Sequence, residues 1–179
     1  MNTSPNIAEL SRRANWGQVA PLSPPASVQV IEIDQPEYLK DEALQKFIIE
    51  ASEADAAPDA EALLDWIFNA SLSDTHFVWV SLDGDVPVCL LIVAYDERNP
   101  WAPATILYIY NSPKASDEAR AIIGQPLPEW CEQRGVTEMA VTTQEEIPVE
   151  VYLEVARRCG FGPEWHERKI GSVYHWEKE

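Results

Sequence analysis

The stretch "ATILYIYNSPKASDEARAI", residues 104–122, decides how this chain folds. Its first seven residues, Ala104–Tyr110, are β-branched, aromatic and aliphatic, which predicts a strand. Asn111-Ser112-Pro113 stops it. A helix is expected from Ser116, with Ser116 as N-cap and Asp117 and Glu118 in the first turn, where negative charge favours a helix start. Strand-to-helix junctions of this kind often hold a ligand phosphate on free backbone N–H groups. Here the chain's own carboxylates already sit there.

The pattern on either side sets the topology. "SVQVIEID" (27–34) alternates apolar and polar residues and predicts a strand. "YLKDEALQKFIIEAS" (38–52) carries Leu39, Ala43, Phe47 and Ile48 at helical spacing. "DAEALLDWIFNAS" (59–71) predicts a second helix, with Asp59 as N-cap and Leu63, Trp66, Ile67 and Ala70 as its buried stripe. "HFVWVSL" and "VPVCLLIVAY" flank Asp83-Gly84-Asp85, a hairpin signal. "NPWAP" predicts a further turn before Ala104. Beyond Ile122, Gly124, Pro126 and Pro128 interrupt the helix, which resumes as "PEWCEQRG". "VTEMAVTT" (136–143) predicts a strand and "VEVYLEVARRCGF" (149–161) a helix closed by Gly160. "KIGSVYHWEK" predicts one last strand. The order β-α-α-β-β-β-α-β-α-β is that of an α+β, three-layer domain. Its sheet is mixed and mostly antiparallel, flanked by helices. The domain spans residues 27–179.

Residues 1–26 read as an extended N-terminal arm. "IAELSRRANW" has the spacing of a short helix, and "PLSPPAS" is a proline-rich linker. The arm is expected to lie on a protein partner. The net charge of −17, from 30 acidic and 13 basic residues, argues against nucleic acid and anionic membrane as partners. A basic or neutral partner suits it better. The longest apolar run, Val86–Tyr95, is about half of a membrane span, and "MNTSPNIAELSRR" has no apolar signal core. A cytoplasmic protein is expected. Cys89, Cys131 and Cys159 are too far apart for a zinc site, and no acidic motif matches a metal loop.

The order of elements, with "WCEQRGVTEMAVTT" and "VYLEVARRCGF", resembles the GCN5-related N-acetyltransferase (GNAT) fold over roughly residues 27–178. It also resembles degenerate members encoded near the structural genes of tailed bacteriophages, which implies packaging in a virion. The resemblance implies acetyl-CoA as cofactor, held by a glycine-rich loop between the central strand and its helix. Glycines there let successive N–H groups turn toward the pyrophosphate. In this chain no glycine lies between Gly84 and Gly124, and the matching residues are Ser116 to Ala121. A carboxylate about 5 Å from a pyrophosphate charge costs roughly 3 kcal/mol at an effective dielectric of about 20. If an acyl-CoA binds, the resemblance places it against Tyr110, Asn111, Lys114, Ser116 and Arg120. It implies a base, for which Glu97 stands after the preceding strand, and a proton donor to the thiolate. Ala156 falls at the family's usual tyrosine position, which leaves Tyr152, one turn earlier, as donor.

Two functions therefore stay open. One is a non-catalytic structural or protein-binding module without a cofactor, associated with a bacteriophage virion. The other is a divergent acyl-CoA-dependent N-acetyltransferase acting on a basic amine.

Overall fold

The computed structural model describes residues 28–54, 57–99, 102–142, 165–170 and 173–178. The arm, the helix expected at 149–161 and Trp101 lie outside them.

Seven strands form one sheet: β1 (Val28–Glu32), β2 (His76–Asp83), β3 (Val86–Tyr95), β4 (Ala104–Asn111), β5 (Glu138–Thr142), β6 (Trp165–Ile170) and β7 (Val173–Lys178). Their spatial order is β1-β2-β3-β4-β5-β7-β6. Only the β4–β5 pair is parallel. The sheet is mixed and mostly antiparallel, as the sequence predicts. One strand was not foreseen: "KIGSVYHWEK" contributes to both β6 and β7, which pair antiparallel with Ile170 opposite Val173. Gly171-Ser172 between them is a two-residue hairpin signal, so the information was present.

Helices α1 (Glu42–Ser52) and α2 (Ala60–Ala70) cover one face; α3 (Asp117–Ile122) and α4 (Pro126–Arg134) cover the other. The helix expected from Tyr38 is split. Pro36 starts a short 3-10 helix, Pro36–Lys40, and Asp41 then caps α1 by accepting from the Leu44 N–H at 2.9 Å. Asp59 caps α2, as expected. Pro126, read as an interruption, opens α4, because a first-turn proline loses no helical hydrogen bond. Gly135 closes α4 at φ 62°, and Gly84 turns the β2–β3 hairpin at φ 64°, both left-handed positions that favour glycine.

Two cores form, one per face. Leu44, Phe47, Ile48, Leu63 and Ile67 from α1 and α2 pack on Val78, Val80, Leu90 and Ile92. On the other face Leu127, Trp130 and Cys131 pack on Phe77, Trp79, Leu91, Val93 and Ile106. Each such buried side chain contributes about 1.5–3 kcal/mol through removal from water. Trp130 meets Phe77 edge-on at 5.0 Å, and Arg134 lies 4.3 Å over the Phe77 ring. β3 is buried on both faces, which is why its sequence shows an unbroken apolar run.

Two bulges disturb the alternation of strands. In β3 the register shifts beside Ser81/Leu82, so Val88 and Cys89 both face the α3–α4 core. In β4, Ile92 pairs with Tyr108 but Val93 pairs with Ile106, leaving Leu107 as the extra residue. The sequence puts Ile106 on one face with Tyr108 and Tyr110. The bulge overturns this. Ile106 faces the α3–α4 core, whereas Leu107, Tyr108 and Tyr110 face α1 and α2.

Candidate functional site

The region where β4 ends and α3 begins is built by the Leu107 bulge. Upstream of it, Ala104, Thr105 and Ile106 pair in parallel with Met139, Ala140 and Val141. Downstream, Leu107 and Thr142 are both in strands yet do not pair, and β5 continues with β7 instead. β4 stays zipped to β3 up to Asn111. Among the described residues, β4 therefore has no β5 partner from Leu107 to Asn111, roughly 16 Å of strand edge at about 3.3 Å per residue.

At the end of that edge lies a polar cluster. The Tyr110 hydroxyl donates to the Glu50 carboxylate at 2.8 Å, and Ser112, buried, donates to the same oxygen at 2.5 Å. Tyr108, one step back on the same face, donates to the Ala51 carbonyl at 2.8 Å. The two tyrosine rings stack at 6.4 Å. These bonds tie the last turn of α1 to the end of β4. The Ser112 and Tyr110 hydroxyls, with Lys114 nearby, hold the Glu50 carboxyl below its usual range. Burial pushes Tyr108 up to about 12, and burial together with the Glu50 carboxylate does the same to Tyr110. At neutral pH both tyrosines therefore stay protonated and Glu50 stays ionised, which keeps the two hydroxyl–carboxylate bonds intact. Glu50 had no distinguishing mark in the sequence. It sits on a predicted helix, beside the buried Ile48 and Ala51, and only the tertiary packing brings it to Ser112.

The junction with α3 caps itself. Ser116 Oγ accepts from the Ala119 N–H at 3.2 Å, and the Ser116 carbonyl accepts from the Arg120 N–H at 3.1 Å. Asp117 and Glu118 are exposed in the first turn, as expected. The helix has six residues and is tied to β2 by a bond from Ser81 Oγ to the Ala119 carbonyl at 2.9 Å. Of the residues expected against an acyl-CoA, Tyr110 and Asn111 end β4, Lys114 is exposed in the following turn, and Ser116 is the cap. Arg120 is half-buried on α3. The Asn111 Oδ1 and Arg120 Nε atoms are buried without a hydrogen-bond partner. The β4 edge beyond Ile106, without a β5 partner among the described residues, suits a pantetheine arm. The α3 start does not fit a pyrophosphate: its first turn is capped, short and acidic, and it lacks the glycines that would turn backbone N–H groups outward.

Glu97 lies apart from this cluster. It is exposed in the β3–β4 turn, at the end of β4 opposite Ser116. Close to that turn, Thr75, His76, Tyr95, Asp96 and Thr105 line an open cleft of about 430 Å³, to which Glu97 does not contribute. Tyr152 falls outside the described residues. Among those residues no group of three metal-ligating side chains gathers, and no helix is long and apolar enough to cross a membrane.

No family model matches the sequence, and no curated protein matches it. Solved structures do match in shape. PaiA N-acetyltransferase from Thermoplasma acidophilum, solved in complex with coenzyme A, aligns at TM-score 0.57 with 13% identity over 86% of this chain and 99% of its own. An acetyltransferase of the GNAT family from Streptococcus pneumoniae aligns at TM-score 0.55 with 15% identity, covering 84% and 98%. AAC(6')-Iy, in complex with a bisubstrate analog, aligns at TM-score 0.55 with 16% identity, covering 81% and 96%. The chain has a GNAT-like fold.

Proposed function

We propose that this GNAT-like chain is a non-catalytic structural or protein-binding module. The observation that carries the reading is the start of α3, where Ser116 caps the helix and Asp117 and Glu118 fill its first turn; the family resemblance would put a cofactor pyrophosphate there. The partner is a protein, engaged through residues 1–26. Its setting, on the resemblance to degenerate phage-encoded members, is a bacteriophage virion into which the protein passes from the cytoplasm. Titration calorimetry with millimolar acetyl-CoA should give no heat. Tight binding would overturn the reading. Quantitative mass spectrometry of purified particles tests the setting, which fails if the protein is absent from them.

One observation favours a second reading, a divergent acyl-CoA-dependent N-acetyltransferase acting on a basic amine. Among the described residues β4 has no β5 partner beyond Ile106, and a strand edge of that kind suits a pantetheine arm. S-acetylpantetheine, which lacks the pyrophosphate, separates the two. Binding of it without binding of acetyl-CoA would assign the obstruction to the α3 start alone.

A further inference from the structure

The outer face of α2 carries exposed apolar side chains, Leu64 and Phe68, and Leu72 follows in the turn just beyond the helix; the three stand at four-residue spacing and are 52%, 49% and 60% exposed. They are three of the five large apolar side chains found exposed among the described residues, so the exposure is concentrated and not scattered. The opposite face of α2 is already satisfied, with Leu63 and Ile67 fully buried. Glu61 and Asp65, both exposed, lie on the same outer face as the stripe. The surface is therefore apolar with an acidic flank, the complement of an amphipathic segment with a basic flank.

The chain contains such a segment outside the described residues. In "IAELSRRANW", residues 7–16, Ile7, Leu10 and Ala14 recur at helical spacing, and Arg12 and Arg13 stand together. Residues 1–27 hold these two arginines against Glu9 alone, so the arm is net positive in a chain of net charge −17. It joins the domain at Val28, the first residue of edge strand β1. β1 pairs with β2, against which α2 packs. The linker "PLSPPAS" spans roughly 20 Å at about 3.1 Å per residue, and residues 17–20 add to that reach.

We infer that residues 7–16 dock on the Leu64–Phe68–Leu72 stripe of their own domain, with Arg12 and Arg13 beside Glu61 and Asp65. The inference rests on the reading of residues 1–26 as an interaction arm, and describes where that arm sits before a partner takes it. Docking in this way covers the stripe in the free protein and makes partner binding a competition for the arm.

The test uses the full chain, with Cys159→Ser, and a cysteine pair Leu10→Cys/Phe68→Cys; Cys89 and Cys131 are buried. Disulfide formation is followed at high dilution by non-reducing gel and mass, against the control pair Leu10→Cys/Gln133→Cys on the other face of the sheet. The expected result is an intramolecular disulfide forming at least tenfold faster than in the control. Arg12→Glu/Arg13→Glu should slow it to the control rate. Equal rates for the two pairs overturn the inference. So does a disulfide-linked dimer that dominates across dilutions, which assigns the stripe to a second copy. Neither failure touches the binding-module reading, which the acetyl-CoA titration decides separately.

Discussion

Removing one hydroxyl tests the polar cluster at the end of β4. Ser112 is buried, and its Oγ donates to the ionised Glu50 carboxylate at 2.5 Å. A hydrogen bond to a charged acceptor contributes about 1.5–3 kcal/mol net. Glu50 is only partly buried, so water replaces some of what is lost, and Ser112→Ala should cost about 1.5 kcal/mol at pH 7. In a chain of this size that lowers Tm by about 3–6 °C. The pH dependence identifies the cause. The Ser112 and Tyr110 hydroxyls lower the folded pKa of Glu50, so its contribution is fully present above the unfolded carboxylate value, about 4.3, and is lost as pH falls through the folded value. Urea melts of wild type and Ser112→Ala should therefore converge as the pH falls below about 4.3. In a Glu50→Gln background, Ser112→Ala should cost less, about 0.5–1 kcal/mol, because the bond there is neutral. A gap that stays constant with pH, or an equal cost in both backgrounds, would refute the reasoning.

Other outcomes follow from local features. Ser116→Ala removes the cap of α3 and should cost about 1 kcal/mol by chemical denaturation, without creating any affinity for acetyl-CoA. Asp117→Gly/Glu118→Gly removes the charge opposed to a pyrophosphate; acetyl-CoA binding that appears in calorimetry would assign the obstruction to these carboxylates, and continued silence would place it deeper in the cleft. Leu90→Ala, fully buried in the α1–α2 core, should cost about 2–5 kcal/mol in urea melts. Burial lowers the His76 pKa, so its NMR titration midpoint should fall below about 6.5, and protonation through that window should destabilise the fold. Burial pushes the Cys131 thiol up to about 12, so it should resist alkylation at pH 8 until denaturant exposes it.

Most of the element order was readable because periodicity and caps carry it. Asp59, the Asp83-Gly84-Asp85 turn and Ser116 each mark a boundary where the structure has one. What escaped depends on contacts between distant segments. The Leu107 bulge leaves no trace in a run of apolar residues, yet it decides which face Ile106 joins and where β4 leaves β5. Ser112 and Glu50 are 62 positions apart, and nothing near either one predicts that they meet. The β6–β7 hairpin was a different kind of miss. Gly171-Ser172 signalled it, but the polar run "WHERK" gave no apolar alternation to read as a strand.

The two cores differ in when a growing chain can complete them. Every residue of the α1–α2 core lies between Ile31 and Tyr110, whereas the α3–α4 core waits for Val136 and Met139. Synthesis runs from the N-terminus, so a nascent chain can close the first face while the second has no helices to cover it. During that interval Phe77, Trp79, Leu91, Val93 and Ile106 form an uncovered apolar sheet face. The order of translation thus lets one half of this fold close before the other, whose covering helix α4 and strand β5 come later in the chain.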